Sequence, residues 1–156
     1  MGVLGLEKTG LSVIKAVQQA GGLLICWDDD KHKRDNLKVD GIIVRDLNNK
    51  EIMQELDFLV VSPGVPHLYP EAHPIVTMAY ELNIRVDNDI GLFFSNLVQE
   101  DYETFGEPPK IIAITGSNGK STATALANHV FSKFFTDVEM GGNIGKPVLE
   151  LSPIKE

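Results

Sequence analysis

Apolar positions along this chain fall into short runs separated by stretches with helical spacing. Val3–Leu6 reads as a first strand, and Thr9–Ala20 as a helix with Val13, Ile14 and Val17 on one face and Gly21-Gly22 ending it. Leu23–Trp27, a short Gly41–Val44 and Phe58–Val61 read as further strands. Lys50–Leu56 reads as a weak helix. Glu71–Leu82, with Ile75, Met78, Ala79 and Leu82 aligned, reads as a stronger one. Ile84–Val86 is a fifth strand, and Asp87-Asn88-Asp89 looks like a capped helix start. Such β–α alternation predicts an α/β fold: a Rossmann-like parallel sheet with helices on both faces.

A second unit is expected from residue 110. Residues 99–109 are acidic and end in Gly106-Glu107-Pro108-Pro109, which reads as a linker between apolar units. Beyond it, Ile111–Thr115 has the apolar character of a buried parallel strand. A glycine loop follows, then a helix whose Ala123, Leu126, Ala127, Val130, Phe131 and Phe134 keep i, i+3, i+4 spacing. Roughly 45 residues are too few for an independent nucleotide-binding domain. The expected organisation is therefore a complete domain over 1–98, a linker over 99–109, and the truncated opening of a P-loop ATPase-type central domain over 110–156.

The loop itself carries the strongest chemistry. Gly116-Ser117-Asn118-Gly119-Lys120-Ser121-Thr122 is a Gly-x-x-Gly-Lys-Ser phosphate loop, two residues tighter than the commoner spacing. Glycines let backbone N–H groups point at phosphate oxygens, and the helix N-terminus adds its dipole. Lys120 can reach the outer phosphates, and Ser121 can offer a hydroxyl to Mg²⁺. Gly-Ser-Asn-Gly is also ordinary turn chemistry. The strand before the loop and the amphipathic helix after it favour the nucleotide reading.

Charge and cysteine content narrow the classes. A net charge of −8 argues against a general nucleic-acid binder. No run is long and apolar enough to span a membrane, and no signal peptide is read at the start. The single cysteine, Cys26, sits in an apolar run and reads as core, which fits a cytoplasmic setting. His32, His67, His73 and His129 show no metal-ligand spacing and read as structural or surface residues.

Other loops offer weaker signals. Gly5-Leu6-Glu7-Lys8-Thr9-Gly10 resembles a dinucleotide fingerprint, but Glu7 stands in place of its middle glycine; an ordinary strand–helix turn fits as well. Asp28 lies where a ribose-binding acid would sit, and Asp28-Asp29-Asp30 equally suits a solvated strand end. Ser62-Pro63-Gly64 closes the fourth strand, as a site loop or a structural turn. Gly142-Asn143-Ile144-Gly145 presents one amide among glycines, or is a plain loop.

Together these motifs resemble the Mur ligases, the ATP-dependent amide-forming enzymes of peptidoglycan synthesis. Gly5-Leu6-x-x-Thr9-Gly10-x-Ser12, Ser62-Pro63-Gly64, Asp89-Ile90-x-Leu92-Phe93, Ala113–Thr122 and Gly142-Asn143-Ile144-Gly145 carry the likeness across the chain. Ser-Pro-Gly with Asp-Ile-x-Leu-Phe points to the type that adds D-glutamate to UDP-N-acetylmuramoyl-L-alanine through an acyl phosphate. The resemblance implies that Lys8, Thr9, Asp28, Asp29, Gly64 and Asn143 meet the UDP substrate. It implies that Gly116, Ser117, Asn118, Gly119, Lys120, Ser121 and Thr122 hold the ATP phosphates, with Lys120 catalytic and Ser121 toward Mg²⁺. It further implies a cytoplasmic monomer, binding neither nucleic acid nor membrane. The family's later catalytic groups would fall beyond residue 156, so this stretch alone is not expected to catalyse. Glu7 departs from the family pattern by placing a negative side chain near the expected diphosphate, and Asp30 adds another. A nicotinamide-dependent Rossmann oxidoreductase and a non-enzymatic nucleotide-binding module remain as alternatives; the absent middle glycine and the second phosphate loop count against the first.

Overall fold

The computed structural model describes residues 1–104, 110–143 and 145–151, with side chains of 97–104 left aside. The Cα framework divides into two compact units, Met1–Leu92 and Phe93–Glu156.

The first unit is a five-stranded, all-parallel sheet in the order β3-β2-β1-β4-β5. Its strands are β1 (Gly2–Leu4), β2 (Ile25–Trp27), β3 (Ile43–Val44), β4 (Phe58–Val61) and β5 (Arg85–Asp87). Gly2 pairs with Ile25 on one side and with Leu59 on the other, so β1 is central. The connecting helices are α1 (Lys8–Gln19), α2 (Lys31–Asp35), α3 (Lys50–Gln54) and α4 (Pro74–Glu81). Alternation along the strands splits the core in two. Leu4, Leu59 and Val61 join Leu47, Met53, Leu56, Ile75, Val76 and Ala79 in one buried cluster with α3 and α4. Val3, Cys26 and Val60 lie outside that cluster and are buried too, as are Val13 and Ile14 of α1. Burial pushes the Cys26 thiol up to about 12.

Several elements differ from the sequence reading. α2 was not expected: Lys31-His32-Lys33-Arg34-Asp35 has no apolar spacing, and its start is set by Asp30, whose carboxylate accepts His32 N–H at 2.8 Å. α4 begins at Pro74 rather than Glu71, because His73 caps it and proline occupies its first turn. α5 runs Asp89–Thr104, through residues 99–104 of the expected linker. Glu and Gln there are good helix formers, so acidity alone does not break the helix. The compact units divide after Leu92, within α5. The rest of the expected linker, 105–109, lies outside the described residues.

In the second unit α6 spans Lys120–Phe131, and a single 3-10 turn covers Val148–Glu150. Residues 111–115 form no strand, and Ile112 is 61% exposed. The buried parallel strand expected there is thus corrected. A strand's N–H and C=O groups need a neighbour, and among the described residues none is adjacent. α6 has the expected helical register but no buried residue. Gly141 bridges Lys146, closing a small loop around Gly142 and Asn143. No helix among the described residues is long and apolar enough to cross a membrane.

Candidate functional site

In the first unit the sheet order reverses at β1, and the carboxyl ends of β2, β1 and β4 lie side by side. In open parallel sheets this switch point is where ligands enter. β1 runs into Gly5-Leu6-Glu7, and α1 starts at Lys8. Gly5 has φ +97°, open only to glycine without strain. A β-carbon at Gly10 would overlap the Gly5 carbonyl oxygen, so α1 can approach the strand end this closely only with glycine there. Glu7 is the N-cap residue of α1, but its side chain makes no cap hydrogen bond. Lys8 and Thr9 stand in that first turn, at the positive end of the helix dipole.

Three side chains tie the three carboxyl-end loops together. Asp28, buried after β2, accepts Leu6 N–H at 2.8 Å and so fastens the β2 loop to the β1 loop. Ser62, after β4, donates its hydroxyl to Gly5 O at 3.0 Å and fastens β4 to β1. Asp29 takes His73 Nε2 at 2.8 Å on one oxygen and Trp27 Nε1–H at 3.1 Å on the other. The first of these contacts reaches from the end of β2 to the start of α4, on opposite sides of β1. Arg34 stacks 4.1 Å from the Trp27 ring centroid and donates to the carbonyls of Asp28 and Asp29.

The acids at this mouth are all engaged. Glu7 pairs with Lys33 Nζ at 2.7 Å, and the same ammonium lies 3.7 Å from Asp28. The Glu7 contact raises the Lys33 pKa. His73, helped by Trp27, holds Asp29 below the usual carboxylate range. Asp28 also accepts Asp30 N–H at 2.9 Å, and Asp30 caps α2. The negative charge that sequence placed near a prospective anion is therefore matched by a lysine, a histidine, an indole and backbone amides.

The expected site residues thus separate into two groups. Lys8, Thr9, Asp28, Asp29 and the exposed Gly64 gather at the first unit's carboxyl edge. Gly116 to Thr122 and Asn143 belong to the second unit. There Gly116 and Gly119 have φ +150° and +75°, and Gly119 precedes α6 without any side-chain cap. The Lys120 ammonium folds back onto the Gly116 carbonyl of its own loop. Open backbone amides at a helix start beside a lysine suit a phosphate chain. Ser62, Lys33 and His73 were missed as site residues by sequence reasoning. Only the Pro-Gly after Ser62 and the His-Pro before α4 gave any signal, and Lys33 gave none.

Asp89 stands apart from this constellation. It is 1% exposed at the start of α5, and neither carboxylate oxygen has a hydrogen-bond partner among the described residues. Burial raises its pKa.

Comparison with known proteins gives consistent neighbours. The chain is 42% identical over 154 residues, 99% of its length, to the UDP-N-acetylmuramoylalanine--D-glutamate ligase of Ruegeria pomeroyi. It is 41% identical over 154 residues to that of Cereibacter sphaeroides and 40% over 151 to that of Dinoroseobacter shibae. The chain spans about a third of the length of these relatives. No family model matches it.

Proposed function

We propose that this chain is part of a Mur ligase, as its relatives named D-glutamate ligases at about 40% identity across it suggest, and that its first unit binds the UDP portion of UDP-N-acetylmuramoyl-L-alanine. The parent protein then joins D-glutamate to that substrate, as an ATP-dependent acid–amino-acid ligase of the cytoplasm. The observation that carries this reading is the engagement of all four acids around an uncapped α1 N-terminus. A diphosphate entering there meets open amides, Lys8 and Thr9, and no unpaired carboxylate among Glu7 and Asp28–Asp30. In this reading Asp28 and Asp29 serve the nucleoside side of that site and Gly64 borders it.

The loop Gly116–Thr122 is the ATP site of the same reading, with Ser121 toward Mg²⁺. When bound, Mg-ATP supplies the phosphoryl group that turns a poor carboxylate electrophile into an acyl phosphate, which the amine of D-glutamate attacks. This chain's own residues orient the phosphates. The amides of Ser117 to Gly119 face them, and Lys120 exchanges its loop carbonyl for phosphate oxygens, where its charge counts most as charge shifts in the transition state.

Calorimetry on this chain tests the first half: UDP-N-acetylmuramoyl-L-alanine should bind, and bind more tightly than Mg-ATP. In the full-length parent, Lys120→Ala should abolish ligation while leaving UDP-substrate binding near normal. Near-normal turnover in that variant would refute the ATP-site assignment.

A further inference from the structure

The contact between His73 and Asp29 does more than fill a surface. β2 and β4 flank β1 on opposite sides, so the loop after β2 and the segment leading from β4 to α4 leave the sheet on either side of β1, as the two walls of a switch-point crevice do. Asp28 and Ser62 each tie one wall to the β1 loop. Only His73–Asp29, among the hydrogen bonds described, ties wall to wall.

His73 is also the N-cap of α4, where its Nδ1 accepts Ile75 N–H at 3.3 Å. An accepting Nδ1 places the proton of the neutral ring on Nε2, which then donates to Asp29. One side chain therefore fixes the helix start with one nitrogen and the opposite wall with the other. Its side chain is 15% exposed, whereas that of Asp29 is 62% exposed and has little else to hold it. Without His73, Asp29 keeps only the Trp27 indole, and its carboxylate is free to swing toward the anion-binding α1 N-terminus.

We propose that His73 is a positioning residue for the nucleotide-sugar pocket, acting through Asp29 to hold the two walls of the crevice at their binding separation. This rests on the reading of the first unit as the UDP-substrate site. The pocket then pays its ordering cost during folding rather than on ligand binding.

Two variants separate the roles of the two ring nitrogens. His73→Asn keeps a good cap for α4 but cannot reach Asp29; His73→Gln keeps a donor at the reach of Nε2 but caps poorly. Trp27 is the only tryptophan, and its indole N–H donates to Asp29, so one nitrogen-bound proton resonance reports the latch directly. Titration of the 156-residue chain with UDP-N-acetylmuramoyl-L-alanine should move that resonance. His73→Asn should retain the thermal midpoint, shift the ligand-free indole signal, and weaken binding about tenfold. His73→Gln should bind within about threefold of the parent chain while melting lower. Asp29→Ala, which leaves the His73 cap of α4 intact, should by itself shift the indole signal and weaken binding as much as His73→Asn, and His73→Asn should add nothing in that background; Asp29→Ala also carries the test if His73→Asn fails to fold. Binding by folded His73→Asn within twofold of the parent chain, or equal losses in Asn and Gln variants, would overturn the positioning role alone. No binding by the parent chain would overturn the pocket assignment, and this inference with it.

Discussion

The chain sets an apolar segment, a glycine loop and a helix in series twice, and the two copies differ sharply in finish. In the first, β1 is paired on both edges and α1 buries Val13 and Ile14. In the second, residues 111–115 have no partner strand among the described residues and α6 buries none of its residues, with Leu126 62% exposed and Val130 43%. Both helices are 12 residues long and follow a left-handed glycine or an uncapped start. Local sequence is therefore enough for the loop and the helix. A parallel strand needs neighbours supplied from far along the chain, and only the first copy has them.

That contrast is broken most directly at the two apolar helix-and-strand sets. Leu59→Ala, in the fully buried cluster, should cost about 3 kcal/mol in a denaturant melt. Leu126→Ala, on the exposed face of α6, should change stability by less than about 0.5 kcal/mol. Comparable losses would mean that α6 packs as firmly as the sheet. The glycines sharpen the same point. Gly10→Ala drives a methyl into the Gly5 carbonyl and should cost about 2 kcal/mol or more. Gly119→Ala meets no atom within 4 Å and should cost only the about 1 kcal/mol of its positive φ. Thermal unfolding of both variants checks this.

Legibility in the sequence follows the same division. β4 was read at its true bounds because Phe58–Val61 is a continuous apolar run bounded by Asp57 and Ser62. The parallel α/β arrangement was readable from alternation alone. α2 was not, because five residues without an apolar face carry no period, and only the Asp30 cap marks them. Ile111–Thr115 reads as strongly as β4, yet it stays unpaired, since periodicity reports what a segment could bury and not whether a partner is present. At the candidate site, residue types were legible and pairings were not. Glu7 looked like a misplaced charge until α2 brought Lys33 to it from 26 positions away.

Asp89 supplies a smaller effect with a sign that can be worked out. Its folded pKa is raised by burial, so between the ordinary carboxylate range and that raised value the folded state holds a proton the unfolded state has lost. Stability from this group is complete at lower pH and declines as pH rises through the folded value. Asp89→Asn cannot ionise. It should raise the unfolding free energy near pH 8 by about 1 kcal/mol and flatten the pH dependence above the ordinary carboxylate range. A variant less stable than the parent chain at pH 8 would show that the carboxylate is satisfied by a group that Asn cannot engage.

The smallest effect tests why the first loop tolerates an acid that the second lacks. Gly116–Thr122 contains no acidic residue, whereas Glu7 sits at the very start of α1. Lys33 is partly exposed and its partner Glu7 largely so, so their pairing should add little to folding, and the melt of Lys33→Met should nearly match the parent chain. Ligand binding is where the pair should register. Removing Lys33 leaves the Glu7 charge facing an incoming diphosphate, and binding of UDP-N-acetylmuramoyl-L-alanine should weaken about fivefold at low salt, with the difference shrinking at high salt. Glu7→Gly in the same background should restore most of the loss, because the repulsion goes with its source. Loss without rescue would assign Lys33 a direct contact with ligand, and no loss at all would mean that Glu7 already points away from the anion's path.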